Sequence, residues 1–470
     1  RLRCSSSSNA LFFPMKMSFA SCFVLSTLGA SIVGAFSLPA ADSDWPRWRG
    51  PQANGTAPGA KPPTTWSETE HVKWKTKLPG FGTSTPIIWK DQVFILTAIP
   101  TGKKVEAAEP PPESEPANAS DQQGRRRGGS GGRSENPTEI YQWVILALNR
   151  TTGKTAWQKV AREEVPHEGH HRDHGFASAS PVTDGEHLYA FFGSRGLYCY
   201  DLQGNKKWEK DFGDMQTRNS FGEGASPALH GDTLVITWDH EGDDFVVALD
   251  KRTGRELWRK ERDEPTSWAT PLIVEHDGTA QAVVSATNKI RSYDLADGKV
   301  VWECGGMTTN VIPTPVTGFD NVYVLSGFRG AALLAIELGQ KGDLTGGKAI
   351  AWQHGKGTPY VPSPLLSGER LYFYSGNNGI LSCFNARSGE PFYETERIAD
   401  LSGGVYASPI AADGKVYLVG RDGKSVVIKD APTLEPIATN ELDDRFDASP
   451  AAVAGELFLR GHEFLYCLAE

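Results

Sequence analysis

The chain of 470 residues sets 48 Lys and Arg against 57 Asp and Glu, a net charge of −9, with 39% hydrophobic residues. That acidic balance excludes a general binder of nucleic acid or anionic membrane. Six cysteines exclude a disulfide-built scaffold, while 13 Trp, 13 Tyr and 21 Phe exclude wholesale disorder.

Lys16 precedes an apolar run from Met17 to Phe36, and the small-residue segment Ser37-Leu-Pro-Ala-Ala41 closes it. A basic start, an apolar centre and a small-residue close predict an export signal over 1–41, cut near Ala40 or Ala41, with Met15 or Met17 as the start. Left uncut, about 20 apolar residues would serve as a membrane anchor instead. Cys22 does not fit a lipidation site, because most of the apolar run lies after it. Losing 1–41 leaves 45 basic against 57 acidic residues, or −12. The mature protein is expected in the periplasm or cell envelope.

Residues 42–70 read as an extension that packs on the repeats C-terminal to it, and His71-Val-Lys-Trp-Lys-Thr-Lys-Leu78 as a strand carrying a Trp. From residue 84 a small residue and a Pro recur before a strand. The copies are Ser84-Thr85-Pro86, Ala179-Ser180-Pro181, Ala225-Ser226-Pro227, Ala269-Thr270-Pro271, Pro313-Thr314-Pro315, Pro362-Ser363-Pro364, Ala407-Ser408-Pro409 and Ala448-Ser449-Pro450. Successive prolines lie 95, 46, 44, 44, 49, 45 and 41 residues apart. Eight units of about 45 residues predict an all-β, eight-bladed propeller of four-stranded antiparallel blades over 71–470. Each unit shows a short apolar strand, a Gly/Asp turn, a second strand such as Leu188–Phe192 or Val416–Val419, a third strand, and a fourth ending in an aromatic residue.

The third-to-fourth connection repeats best, as Ala147-Leu-Asn-Arg-Thr-Thr-Gly-Lys-Thr-Ala-Trp157 and Ala248-Leu-Asp-Lys-Arg-Thr-Gly-Arg-Glu-Leu-Trp258. Asp or Asn bonds the turn amides and Gly supplies a positive φ. Trp74, Trp157, Trp208, Trp258, Trp302 and Trp352 are expected to dock neighbouring blades. Cys199, Cys383 and Cys467 share one small, buried repeat position and read as unpaired core filler. The last unit stops at Glu470 without a fourth strand, so residues 71–78 are expected to complete blade eight and close the ring.

Between the second and third strands of blade one lies an insertion over about 101–137, with six basic and six acidic residues and Pro-rich and Gly/Arg-rich stretches. Its composition predicts a solvated, disordered loop. His167, His170, His171 and His174 fall within eight residues beside Asp173, a cluster whose imidazoles suit zinc or copper. Loops that join strand four to strand one, and strand two to strand three, gather on one face of a propeller. Arg195, Arg329 and Arg421, with Arg218, are therefore placed to converge on a small anionic ligand. Asp239, His240, Asn288 and Asn377 stand in the same loops.

The Ala-x-Asp-x-x-Thr-Gly-x-x-x-Trp pattern at 248–258, echoed around the ring, resembles the repeat of quinoprotein alcohol dehydrogenases. It is equally similar to the non-catalytic propeller lipoprotein of the outer-membrane β-barrel assembly machinery. Asp44-Trp-Pro-Arg-Trp-Arg-Gly-Pro51, Val72-Lys-Trp-Lys and Leu78-Pro-Gly look most like exported pyrroloquinoline-quinone-like propellers of planctomycete-type bacteria. The dehydrogenase resemblance implies pyrroloquinoline quinone with calcium and oxidation of alcohols or sugars. This chain departs from it in having no adjacent Cys pair and no Cys-x-x-Cys-His haem motif. The reading is a monomeric, non-catalytic envelope scaffold that binds a protein partner or a small anionic ligand. A quinone-dependent dehydrogenase and a metal-binding propeller are the alternatives.

Overall fold

A computed structural model describes residues 44–105 and 137–470. The export segment and the centre of the insertion lie outside the described residues. Among the described residues thirty-two strands build eight sheets of four in ring order, two of which gain a fifth, parallel strand. Blade one comprises Ile87–Trp89, Gln92–Lys104, Glu139–Asn149 and Thr155–Glu164. Its second and third strands run on as a long hairpin to the pair Lys104–Glu139, which carries the insertion. Among the described residues no helix is long and apolar enough to cross a membrane.

The ring closes as the sequence predicts. Val72–Lys77 pairs antiparallel with Phe464–Ala469 and becomes the outer strand of blade eight. Trp74 stands opposite Cys467 in that pair. The same register recurs as Ala147 opposite Trp157, Cys199 opposite Trp208, Ala248 opposite Trp258, Ser292 opposite Trp302 and Ala335 opposite Trp352. A small residue on the third strand thus leaves room for the indole on the fourth. The register shifts by one beside each of these pairs, a bulge that adds twist to the outer edge. The described cysteines, Cys199, Cys304, Cys383 and Cys467, are buried and unpaired.

Each Trp locks its blade to the next. Indole N–H groups donate to a turn carbonyl of the following blade: Trp74 to Arg150, Trp157 to Leu202, Trp208 to Lys251, Trp258 to Leu295 and Trp352 to Ala386, all at 2.8–3.0 Å. The ring rests against the turn glycine beside that carbonyl. At Gly254 φ is +70°, and a Cβ would lie 2.7 Å from the Trp208 ring. Gly in the repeat therefore meets two demands, a left-handed turn and a flat seat for the neighbour's indole. Trp302 differs: it is fully buried among Val322, Leu334, Leu344 and Ala349 of blade five, and its N–H has no partner among the described residues.

Blade seven carries Ala438 where the others carry an aromatic residue. Trp66 fills the gap from the N-terminal extension. It stacks on Tyr417 at 6.4 Å, the second-strand position that elsewhere meets the blade's own Trp through Phe94, Tyr189, Tyr323 and Phe458.

Residues 44–61 run across the face of the first-to-second turns. Trp45 bridges to Ile88 in blade one, Pro46 accepts from Thr183 in blade two, and Arg47 donates to Leu229 in blade three. Fully buried Arg49 reaches the carbonyls of Pro364 and Pro409 in blades six and seven, and Thr56–Ala57 adds a parallel strand to blade seven.

Deleting 42–78 strips blade eight of its outer strand and blade seven of Trp66. The truncated protein is expected to lose cooperative thermal unfolding, read by circular dichroism. A melting transition unchanged from the parent would contradict closure by this strand.

Candidate functional site

The small-residue–Pro repeats meet at the hub. In blades one to seven the backbone N–H of the hydroxyl residue donates to the hydroxyl of its counterpart in the next blade. The bonds run Thr85 to Ser180, Ser226, Thr270, Thr314, Ser363, Ser408 and Ser449, each 2.9–3.1 Å long. At the seam, buried Arg460 of blade eight donates to the carbonyl and hydroxyl of Ser84 in blade one. In the sequence the prolines stand out as strand signals, and the hydroxyls beside them pass unnoticed, although every copy carries Ser or Thr before the Pro.

This ring lines a central cavity of about 460 Å³. Trp48, from the segment across the opposite face, contributes to the lining, as do Phe221, Trp268, Phe328, Tyr360 and Tyr406. Phe328 and Tyr360 stack at 4.7 Å. Charge at the mouth is confined to one side, between blades one, seven and eight. There Arg421 donates to Asp447 at 2.5 and 3.2 Å, pairs with Asp173 at 3.0 Å, and lies 3.6 Å over the Tyr406 ring. Arg445 donates to Asp173 at 2.9 Å, and His462 meets Asp447 at 2.9 Å. Burial acts to raise the Asp447 carboxyl, but hydrogen bonds from His462 and Arg421 hold it below the usual carboxylate range.

The predicted ligand residues do not converge on this cavity. Buried Arg195 pairs with Glu164 and Asp214 under the Trp143 ring. The Arg218 side chain lies outside the cavity lining, and its backbone N–H donates to Thr266. Arg329 is exposed over Phe328. Arg421 is held by its two acids. Asp239 is sealed in an ion pair with Arg262 at 2.6 Å and accepts from Ser267. His240 accepts from the Gln216 and Gly242 amides. The backbone N–H of Asn288 donates to Glu264, and Asn377 accepts from the Val361 amide. These side chains chiefly tie loop to loop.

The four histidines also part company. His170 packs edge-on to Phe176, and His171 meets Phe221 edge-on at the cavity wall. His174 is half-buried, bonds Ser178 at 2.7 Å, and is pushed down to about 3 by desolvation, which leaves it neutral. His167 turns away to face Glu168 and Glu223. Two of the four line the central cavity, and no single point collects all four, because successive loop residues face different packing partners.

A family model described as outer membrane protein assembly factor BamB matches residues 64–222 and 202–431, and the chain belongs to that family. No curated protein matches the chain significantly. Among solved structures it is similar to BamB from Moraxella catarrhalis, at 14% identity and a TM-score of 0.50, over 70% of this chain and 88% of that one. It is also similar to quinohemoprotein alcohol dehydrogenase from Comamonas testosteroni, at 10% identity and a TM-score of 0.58, covering 92% and 81%. A europium-containing methanol dehydrogenase gives 10% identity and a TM-score of 0.59, covering 92% and 99%. At these identities the likeness is one of fold.

Pyrroloquinoline quinone is a tricarboxylate, and its calcium ion needs six or more oxygen ligands. In the central cavity Asp173 and Asp447 already hold Arg421, Arg445 and His462. Arg172, the remaining lining cation, is 88% exposed at its side chain. No described cysteine lines the cavity. The residues present do not fit the quinone.

The Asp447 cluster sets a pH-dependent stability. Because its carboxyl is held low, its contribution is full above the ordinary value of about 3.9 and fades as pH falls through the folded value. Asp447→Asn is expected to cost about 3 kcal/mol at pH 7, with the deficit shrinking in acid as the parent's carboxyl protonates. Chemical denaturation across pH 3–7 measures this; a deficit independent of pH would contradict it.

Proposed function

We propose that this member of the BamB family is an exported, non-catalytic binding scaffold of the cell envelope, and that a protein partner engages the aromatic mouth of its channel. The observation that carries the reading is the composition of that mouth. Phe221, Trp268, Phe328, Tyr360 and Tyr406 surround an open cavity, while the neighbouring charges neutralise one another. Clustered aromatic anchors beside satisfied polar groups are what a protein interface uses. The same self-pairing leaves no free carboxylate and cation set in the mouth to hold a substrate and take its proton. The family's description as an assembly factor agrees with a scaffold in the envelope. The segment across the other face makes the channel a one-sided pocket, which suits docking better than passage.

A quinone-dependent dehydrogenase is the competing reading, and fold likeness alone favours it. Calorimetric titration of the purified protein with pyrroloquinoline quinone and Ca²⁺ separates the two. The scaffold reading predicts no heat of binding up to millimolar quinone. One-to-one binding at micromolar concentration or tighter would overturn it. In cells, a photo-reactive side chain at position 328 is expected to crosslink an envelope protein, and Trp268→Ala is expected to reduce that adduct at least tenfold.

A further inference from the structure

Beside the central channel, a small cavity of about 40 Å³ lies where the connections of the first three blades meet. An imidazole and two carboxylates line it, together with a third carboxylate, Asp239, that is already paired with Arg262. His167 and Glu168 come from the connection between blades one and two, and Glu223 from that between blades two and three. One ligand atom from each lies within 4.8 Å of the other two. His167 Nε2 is 3.7 Å from a Glu223 oxygen and 2.7 Å from the Met215 carbonyl, while Nδ1 faces Asp214 at 3.7 Å.

The pocket is built to hold these acids and lacks a cation for them. Glu223 accepts from the Ser194 amide at 2.7 Å and from its hydroxyl. Gly193, at φ +57°, is where a Cβ would fall 1.6 Å from a Glu223 oxygen. Glu168 accepts from the amide and hydroxyl of Thr217. The cation in the wall, Arg195, is committed to Glu164 and Asp214. Among the described residues neither Glu168 nor Glu223 has a Lys or Arg partner. Two half-buried carboxylates without a counter-charge are costly. A second, separate sign comes from another lining residue. Thr237 is 2% exposed and lines the same cavity, and its hydroxyl has no partner among the described residues.

We propose that His167, Glu168 and Glu223 bind one divalent cation of the zinc or manganese class. One imidazole and two carboxylates suit such an ion, and the cavity holds an ion with at most a water beside it. With the ion on Nε2, the ring proton moves to Nδ1 and points at Asp214, the arrangement that fixes a metal-bound histidine. The Met215 carbonyl is a further oxygen within reach. The ion supplies the missing charge and pins two connections that wall the channel mouth. His170, His171 and His174 take no part. This inference stands apart from the binding reading, since the metal site does not depend on what enters the channel.

The test is calorimetry of the full protein, stripped with chelator, against Zn²⁺ and Mn²⁺. One site of micromolar affinity or tighter is expected. Glu223→Gln and His167→Asn should each weaken it at least tenfold, while His170→Asn and His171→Asn leave it unchanged. No binding by the parent, or unchanged affinity in Glu223→Gln and His167→Asn, would overturn the site. X-ray absorption of zinc bound to the parent needs no variant to fold. A shell of one imidazole with oxygen ligands supports the proposal, and three or more imidazoles would refute it.

Discussion

The contact between one blade's indole and the next blade's turn glycine governs this molecule. A four-stranded sheet of this length has two apolar faces and cannot bury them alone; it must stack on a neighbour at a fixed angle. The Trp N–H to turn-carbonyl bond sets that angle, and the bare glycine lets the ring lie flat against the backbone. The small residue opposite each Trp and the bulge beside it result from fitting the ring. Where blade seven lacks the indole, Trp66 is imported from outside the repeat.

At the hub the same neighbour relation is written in hydroxyls. Each of blades one to seven gives a backbone N–H to the Ser or Thr of the next, so the innermost strands form a hydrogen-bonded collar rather than eight separate ends. The buried arginine Arg460 ties blade eight to blade one, where the series of hydroxyl bonds stops. The floor built from 44–61 then makes the collar one-sided. The aromatic mouth, the self-neutralised acid–arginine cluster and the small His–Glu–Glu cavity are all set by loops hung from that collar.

Architecture was legible in the sequence because it repeats. Eight copies of a small residue before Pro, and the Gly-x-x-x-Trp spacing, carry blade number, ring closure and the docking role of the tryptophans. The candidate site was legible only in part, because its residues do not repeat. Arg195 and Arg421 stand out as loop arginines, yet no local pattern signals that Glu164, Asp214, Asp173 and Asp447 claim them. The spacing of His167, His170, His171 and His174 suggested one cluster, but a loop without periodic structure turns neighbours in different directions. Glu223, 56 residues after His167, joins that histidine only through the adjacency of blades two and three. Arg47 and Arg49 lie outside the repeat as well, and bond to carbonyls of blades three, six and seven without any repeat position to signal it.

The central claim is that these blades form one closed, cooperative ring. Native-state hydrogen exchange of the full protein tests it most directly, through the collar amides of Thr85, Ser180, Ser226, Thr270, Thr314, Ser363 and Ser408. A closed ring predicts that all seven exchange with one opening free energy, the largest in the molecule, because none is released until the whole collar opens. A gradient of protection falling from the middle blades toward blades one and eight would mark an open array of repeats, and would contradict the account.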